Sequence, residues 1–357
     1  MTISPEAAAW GLRLLVGLEP DDEAVEFHRA GYDNIDDMRT AFLRTPQGRE
    51  LYRQANGGSS AADGPSRYAV PLFLLRPPEH ANVPWTFQRP SMTEPVSQLC
   101  TYEQMEDPSF ARLCGQLGLG PARQRKVWEF AYILSVLQAR GLLASGRTGL
   151  GFGTGQEPLP SVFAAAGVRV TATDAPAELN HSESWARSLQ WTQHVEDLWH
   201  KNLVDQDTFR TLVSYRPVDM NRIPSDLRGF DFCWSACCLE HLGGIRPGLD
   251  FIHNSLDTLR PGGVAVHTTE FNLGSNDATL ELETLCLFRK RDIEQVIHEL
   301  VAAGHRVETL NLWPGATPTD EHVDLPPFSD PHLKLVLEGA VSTSIGLIVT
   351  KGAGVQG

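Results

Sequence analysis

A glycine-rich turn between a short strand and a helix constrains the fold of this chain most. The turn spans residues 149–158, with glycine at positions 149, 151, 153 and 155, and a helix is predicted over residues 158–166. Glycine at such a crossover lets a ligand approach the backbone closely. The turn therefore predicts a ligand site at the first crossover of an α/β sheet.

The sequence after this turn alternates between strand and helix patterns. A helix is predicted over residues 291–304, and strands are predicted over residues 168–174, 230–235, 263–267, 306–310 and 344–350. Alternation of this kind is typical of a doubly wound, Rossmann-like α/β sheet. Ligands of such sheets bind outside the carboxyl ends of the strands, so we expect the functional residues there.

The first 145 residues have a different pattern. Helical periodicity predicts a helical module over residues 1–56, and the Gly- and Ser-rich stretch over residues 57–66 predicts a linker. A second helical region is predicted over residues 67–145, ending in a long helix that stops at Gly141. The strand-helix domain then covers residues 146–357.

Charge and cysteine content narrow the function classes. The 30 Lys and Arg residues face 44 Asp and Glu residues, and the net charge of −14 disfavours a nucleic-acid partner. The sequence has no 18-residue apolar run and no signal-peptide pattern at its start, which predicts a soluble, cytoplasmic protein without a membrane span. The six cysteines form no CxxC pair and are expected to be reduced thiols of the core.

The spacing of the glycines excludes two common nucleotide-binding motifs. No frame of the turn gives GxGxxG, and no Gly-Lys-Ser/Thr follows as a phosphate-binding P-loop requires. The spacing that fits is GxGxG, with Asp174 ending the next strand 19 residues after Gly155. The Asp174 carboxylate is placed there to accept hydrogen bonds from both hydroxyls of a ribose.

The chain here resembles the class I S-adenosylmethionine-dependent methyltransferases, over roughly residues 147–350. Four segments carry the resemblance: the glycine loop with Asp174, residues 218–224, residues 230–242 and residues 259–264. The resemblance implies S-adenosylmethionine as cofactor and an antiparallel strand at 344–350. It also implies cofactor contacts from Gly151, Gly153, Gly155, Asp174, Asp219 at the adenine amine and Met220 over the adenine ring. One departure is Gly149, which stands where the family usually has an acidic residue.

Polar residues that end two later strands bear on the methyl acceptor. An alcohol acceptor must lose a proton, so a base or a metal ion is expected beside the methyl group. Glu240, His241, His267 and Glu270 lie at these strand ends. Glu240 and His241 resemble the last two positions of the ExxEH metal motif of some methyltransferases, with Cys237 at the first glutamate position. This resemblance implies Glu240 and His241, with Glu270 replacing the lost glutamate, as ligands of Mg²⁺ or Mn²⁺. His267, His241 and Glu240 are the candidate catalytic groups; the alternative is capping for Glu240 and His241, and a satisfied strand-end histidine for His267.

Resemblance also suggests an acceptor class. Residues 14–46, 97–102 and 125–129 are similar to segments of bacterial glycan-modifying enzymes and sugar O-methyltransferases, with the mycobacterial methylmannose polysaccharide branch as the nearest group. This implies a saccharide acceptor. Trp191, from a segment with several aromatic residues, and His194 are the candidate substrate contacts. The helical modules suggest a homodimer, and the region over 67–145 is a candidate lid, substrate or dimer element. The open alternatives are a quinone, lipid or polyketide acceptor, and a methyltransferase fold that only binds partners.

Overall fold

A computed structural model describes residues 67–179, 191–325 and 328–353. The predicted module over 1–56 and linker over 57–66 lie outside these residues. The α-helices of the described part are Tyr102–Met105 (α1), Pro108–Gln116 (α2), Arg125–Ala139 (α3), Leu159–Ala165 (α4), Gln206–Leu212 (α5), Ile245–Asp257 (α6), Lys290–Ala302 (α7) and Pro318–Glu321 (α8). Short 3₁₀ helices span Leu72–Leu75, Ala177–Leu179, Val195–Leu198 and Leu239–His241.

The strands of the described residues join in one sheet. They are Trp85–Thr86 (β1), Ser97–Leu99 (β2), Thr148–Phe152 (β3), Arg169–Asp174 (β4), Val213–Pro217 (β5), Phe230–Ala236 (β6), Leu259–Asn272 (β7), Arg306–Val307 (β8), Leu310–Asn311 (β9), Leu335–Leu337 (β10) and Ala340–Thr350 (β11). The order is β1-β9-β2-β11-β7-β6-β3-β4-β5, with β8 and β10 also paired to β11.

The sheet has the predicted mixed topology. Strands β5, β4, β3, β6 and β7 run parallel, and β11 pairs antiparallel with β7. Chain order reverses between β3 and β6, which makes their carboxyl ends the switch point where ligands bind in such folds. The α/β fold class and the antiparallel final strand are confirmed.

Apolar side chains on both sides of the sheet form the core. One cluster contains side chains of α6 and α7, and the other contains side chains of α2, α3, α4 and α5. Alternation along β6 shows the division, because Cys233 belongs to the first cluster and Phe232 and Trp234 belong to the second. The sheet is therefore covered by helices on both faces, as a doubly wound fold requires.

The sequence predicted a helical region over 67–145, but this region also contains the strands β1 and β2. Strand β2 is fully buried and pairs antiparallel with β11 at Ile345 and Gly346, and β1 extends the sheet through β9. Helix α3 packs against the same place, because the Tyr132 ring lies where a side chain on Gly346 would be. A three-residue strand between prolines gives no alternation pattern, so the sequence alone does not reveal it.

Two further expectations concern the membrane and the thiols. Among the described helices none is both long and apolar enough to span a bilayer. All six cysteines carry free thiols, four of them buried and two, Cys237 and Cys238, partly buried. The two partly buried thiols follow β6 at the switch point.

Candidate active site

Gly149 and Gly151 lie within β3 and make room for aromatic rings of β6. A Cβ atom on Gly149 would lie 2.5 Å from the Phe232 ring, and one on Gly151 would lie 2.4 Å from the Trp234 ring. Both rings are completely buried. Packing therefore explains glycine at both positions, including the absence of an acidic residue at 149. The cofactor contact of Gly151 stays a prediction, and its glycine does not need that contact.

Gly153 and Gly155 form the turn itself. Their φ angles are +58° and +49°, in the left-handed region that favours glycine. A Cβ atom on Gly153 would lie 2.7 Å from the Cys238 sulfur and 3.7 Å from the Met220 sulfur. The turn thus brings together the glycine loop, the loop after β5 and the loop after β6, which the sequence had predicted separately.

Asp174 ends β4 and is bound to this turn. Its Oδ2 accepts hydrogen bonds from the backbone N–H of Gly155 at 3.0 Å and of Thr192 at 3.2 Å, and its Oδ1 accepts one from Ala175 at 2.8 Å. Burial raises the pKa of the Asp174 carboxyl to about 6, although the three N–H groups favour the charged form. The carboxylate is therefore held at the switch point, next to the loop it was predicted to serve.

Glu157, just after the turn, is a second buried carboxyl at this site. Its Oε1 accepts a hydrogen bond from the Trp234 indole N–H at 2.6 Å, and burial raises its pKa to about 8. The amine of Lys126, from α3, donates to the Ala236 carbonyl at the end of β6 at 2.7 Å. A carboxyl and an amine therefore stand at the two strand ends that flank the turn.

Three further candidates, Trp191, His194 and Asp219, lie on the segments that follow β4 and β5. Trp191 donates its indole N–H to the Ala175 carbonyl at 3.0 Å, so it borders the Asp174 loop, where the ribose is expected. Asp219 accepts a bond from the Asn221 N–H at 2.9 Å, and His194 is exposed at the start of a 3₁₀ turn. His194 exchanges hydrogen bonds with Thr192 through its backbone, and contact of Trp191 or His194 with an acceptor stays a prediction.

His267 lies in the core, away from the role predicted for it. Its Nδ1 is 2.8 Å from the Ser235 hydroxyl, its Nε2 is 3.0 Å from the Ser255 hydroxyl, and its ring is 1% exposed. Burial lowers its pKa to about 3. Both ring nitrogens have partners, and the ring faces α6. The placement is that of a satisfied core histidine and gives no support to a base at His267.

The low pKa of His267 predicts a loss of stability in acid. The unfolded chain takes up this proton near pH 6.5, whereas the folded chain takes it up only near pH 3. The free energy of unfolding therefore falls as pH falls through this window, by about 2 kcal/mol between pH 7.5 and 5. Urea unfolding at these two pH values should show this loss in the wild type and a smaller one in His267→Gln. Equal losses in the two proteins would contradict the assignment.

Glu240 and Glu270 meet at the carboxyl ends of β6 and β7. Donor atoms of these two residues and of Cys237 lie within 4.8 Å of one another. Glu240 accepts a bond from the Thr269 hydroxyl at 2.9 Å, and Ser342 donates to Glu270 at 2.5 Å. Burial and the neighbouring Glu270 raise the pKa of Glu240. We refer to Cys237, Glu240 and Glu270 as the acceptor cluster.

Helix α3 adds three charged residues that the sequence analysis did not assign to the site. Arg125 forms an ion pair with Glu270, and Lys126 lies 3.2 Å from Glu129. Glu129 also accepts bonds from the Ser344 hydroxyl at 2.5 Å and from the Cys237 thiol at 2.9 Å. The signal was present, because Glu129 lies between Trp128 and Phe130 on a helix whose middle is buried.

The acceptor cluster does not fit the predicted magnesium or manganese site. The Nδ1 of His241 lies 2.6 Å from the Thr284 carbonyl oxygen, and His241 is not one of the three residues whose donor atoms lie close together. Mg²⁺ prefers oxygen ligands and retains water, whereas this group contains a thiol. Glu270 is already paired with the Arg125 guanidinium. The ligand prediction therefore holds for the proximity of Glu240 and Glu270 but not for His241 or for the ion.

Comparisons with known proteins give weak structural likenesses. No family profile and no curated protein matches the chain. Solved structures with a likeness include the carbon methyltransferase CurJ, with 14% identity, a TM-score of 0.37 and coverage of 64% of this chain and 54% of CurJ. An O-methyltransferase family protein from Burkholderia thailandensis has 14% identity, a TM-score of 0.33 and coverage of 65% and 60%.

A third likeness is to the magnesium protoporphyrin IX methyltransferase from Synechocystis, solved with bound S-adenosylhomocysteine. It has 12% identity, a TM-score of 0.37 and coverage of 62% of this chain and 80% of that enzyme. The chain spans about half of CurJ and three fifths of the Burkholderia protein. Each of these proteins is a methyltransferase by description, but TM-scores below 0.5 do not identify a reaction.

Proposed function

We propose that this protein is an S-adenosylmethionine-dependent methyltransferase that methylates a hydroxyl group. One observation carries the proposal: the glycine turn after β3 and the Asp174 carboxylate at the end of β4 lie together at the switch point of a parallel sheet that closes with an antiparallel strand. Ligands bind at that point in doubly wound sheets.

The residues at the switch point suit the three parts of this cofactor. Asp174 is the acceptor for ribose hydroxyls, with Gly153 and Gly155 as the bare backbone beside it. Met220 covers the adenine ring, and Asp219 meets its exocyclic amine. Glu157 pairs with the amino group of the methionine part, and Lys126 pairs with its carboxylate. Glu157 thus takes over from the acidic residue that is missing at Gly149.

The acceptor side requires alignment, exclusion of water and removal of one proton. When bound, S-adenosylmethionine supplies an electrophilic methyl group on its sulfonium. Glu240 is the base, because its buried carboxyl has a raised pKa and no cation of α3 within ion-pair distance among the described residues. The cluster takes a neutral polyol without charge repulsion, which supports a saccharide hydroxyl as the acceptor; quinone, lipid and polyketide hydroxyls are the competing acceptors.

Two measurements test the proposed function in sequence. Calorimetric titration with S-adenosylmethionine and S-adenosylhomocysteine should show binding and a higher Tm. Absence of both effects would support a methyltransferase fold that only binds partners. A radiolabelled methyl-transfer screen over mono- and oligosaccharides, with quinone, lipid and polyketide acceptors in parallel, then identifies the acceptor class.

Glu240→Gln should separate cofactor binding from turnover. The amide keeps the shape and the bond from Thr269 but cannot accept a proton, so turnover should fall by about 100-fold or more. Cofactor affinity should stay within a few-fold of the wild type, as measured by calorimetry. Glu283→Gln is the control, because Glu283 is exposed on the loop before Thr284. Wild-type turnover in Glu240→Gln would refute the assigned role.

A further inference from the structure

The acceptor cluster has the composition of a metal site, but each of its three side chains already has a hydrogen-bond partner in this chain. Its donor atoms, one thiol and two carboxylates, lie close enough for one ion to contact all three. Such a mixed sulfur and oxygen set suits zinc or cadmium better than magnesium. Whether an ion enters depends on what already holds these three groups.

Each of the three groups is held by another residue of this chain. Ser342 donates to Glu270, and Thr269 donates to Glu240. The Cys237 thiol donates to Glu129, and burial raises the pKa of Cys237 well above its usual value. A thiol binds metal as the thiolate. An ion would therefore have to displace the proton of the Cys237 thiol and compete with the Arg125 guanidinium for Glu270.

Arg125 supplies positive charge at this place. It is the first residue of α3, its backbone N–H donates to the His332 carbonyl at 3.0 Å, and its side chain is 15% exposed. Although burial disfavours the guanidinium, Glu270 holds the pKa of Arg125 above its usual value. The guanidinium is thus a permanent cation, anchored at a helix start and aimed at one of the would-be metal ligands.

We propose that the Arg125 guanidinium takes the place of a divalent cation beside Glu240 and Glu270, so that this site works without a metal ion. The role of this site in methyl transfer rests on the proposed function. The ion pair between Arg125 and Glu270 does not depend on that function. Three carboxylates lie at this place: Glu129, Glu240 and Glu270. Arg125 pairs with Glu270 and Lys126 pairs with Glu129, so Glu240 is the one without a cation of α3. The guanidinium orients Glu270 and partly screens it from Glu240, and the acceptor hydroxyl then meets Glu240.

Metal titration of purified protein tests this directly. With wild type, Mn²⁺ and Cd²⁺ should give no rise in Tm and no thiolate-to-cadmium absorption in the ultraviolet. With Arg125→Ala, Cd²⁺ should raise the Tm, produce that absorption and bind at least 10-fold more tightly than to wild type. The double variant Arg125→Ala with Cys237→Ser should lose the absorption. Arg123→Ala is the matched control, because Arg123 pairs with Asp330 at the surface.

Several outcomes would overturn the proposal. Saturable Mn²⁺ or Cd²⁺ binding by wild type that is lost in Glu270→Gln would show that an ion belongs in the cluster. So would an Arg125→Ala variant that binds no Cd²⁺, or one that does not fold even when refolded with Cd²⁺, because the ion is expected to replace the lost charge. Wild-type methyl transfer that EDTA abolishes and Mn²⁺ restores would also contradict it. Failure of S-adenosylmethionine to bind would reject the proposed function and leave the metal result standing.

Discussion

Asp174→Asn should bind S-adenosylmethionine at least about 100-fold more weakly than the wild type. Two hydrogen bonds from ribose hydroxyls to a charged acceptor are worth about 1.5–3 kcal/mol each, and the amide replaces the charge with a neutral group. The amide also turns an N–H₂ group either toward the N–H groups of Gly155 and Thr192, which donate to Oδ2, or toward that of Ala175, which donates to Oδ1. Calorimetry at pH 7.5 measures the loss directly.

Asp226→Asn is the matched control for this variant. Asp226 is an exposed carboxylate on the loop after β5 that pairs with Arg216 of β5. Loss of this carboxylate should leave cofactor affinity unchanged. The pH dependence gives a second readout. Because the carboxyl has a pKa of about 6 and must be ionised to bind the diol, wild-type affinity should fall about 10-fold between pH 7.5 and 5. Equal affinity and an equal pH slope in Asp174→Asn would remove Asp174 from the site.

Gly153→Ala should lose both cofactor binding and stability. An alanine at a φ of +58° costs about 1–2 kcal/mol in backbone strain. Its Cβ would also lie 2.7 Å from the Cys238 sulfur, which must then move together with the loop after β6. We expect cofactor affinity and turnover to fall by at least about 10-fold, with a Tm lower than that of the wild type, as measured by calorimetry and thermal unfolding.

Gly141→Ala separates the strain from the clash. Gly141 has nearly the same φ, +63°, but an added Cβ there meets nothing within 4 Å. This control should lose a similar amount of stability to strain and keep full cofactor affinity. If Gly141→Ala weakened binding as much as Gly153→Ala does, the effect would be one of general stability, and the Gly153 loop would have no special role.

The central part of the fold follows from its sequence because its elements have strong local patterns. The predicted strand over 168–174 and helix over 291–304 agree with β4 and α7 to within two residues, since each has a periodic apolar face. The outer strands are harder to delimit. Strands β1, β8 and β9 are two residues long, too short for a periodic pattern, and the single strand predicted over residues 306–310 contains β8 and the start of β9.

Site residues could be predicted where their position at a strand end follows from the sequence pattern. They could not be predicted where tertiary packing determines which partners a side chain has. The acidic end of β4 and the proximity of Glu240 and Glu270 could be read from spacing along parallel strands. The fate of His267 could not, because its face of β7 is set by the register with β6, which places Ser235 beside it. Arg125 was missed because its partner, Glu270, is 145 positions away and only the folded sheet brings α3 to β7.

The placement of β11 between β7 and β2 has a consequence for biosynthesis. Strand β2 pairs with a segment that is translated about 250 residues later, so its backbone hydrogen bonds cannot form on the ribosome until that segment emerges. Pairings of such sequence separation are slow to form and expose their edges meanwhile. The nascent chain therefore carries β2 without its β11 partner through most of its synthesis, a period in which chaperone contact would matter most.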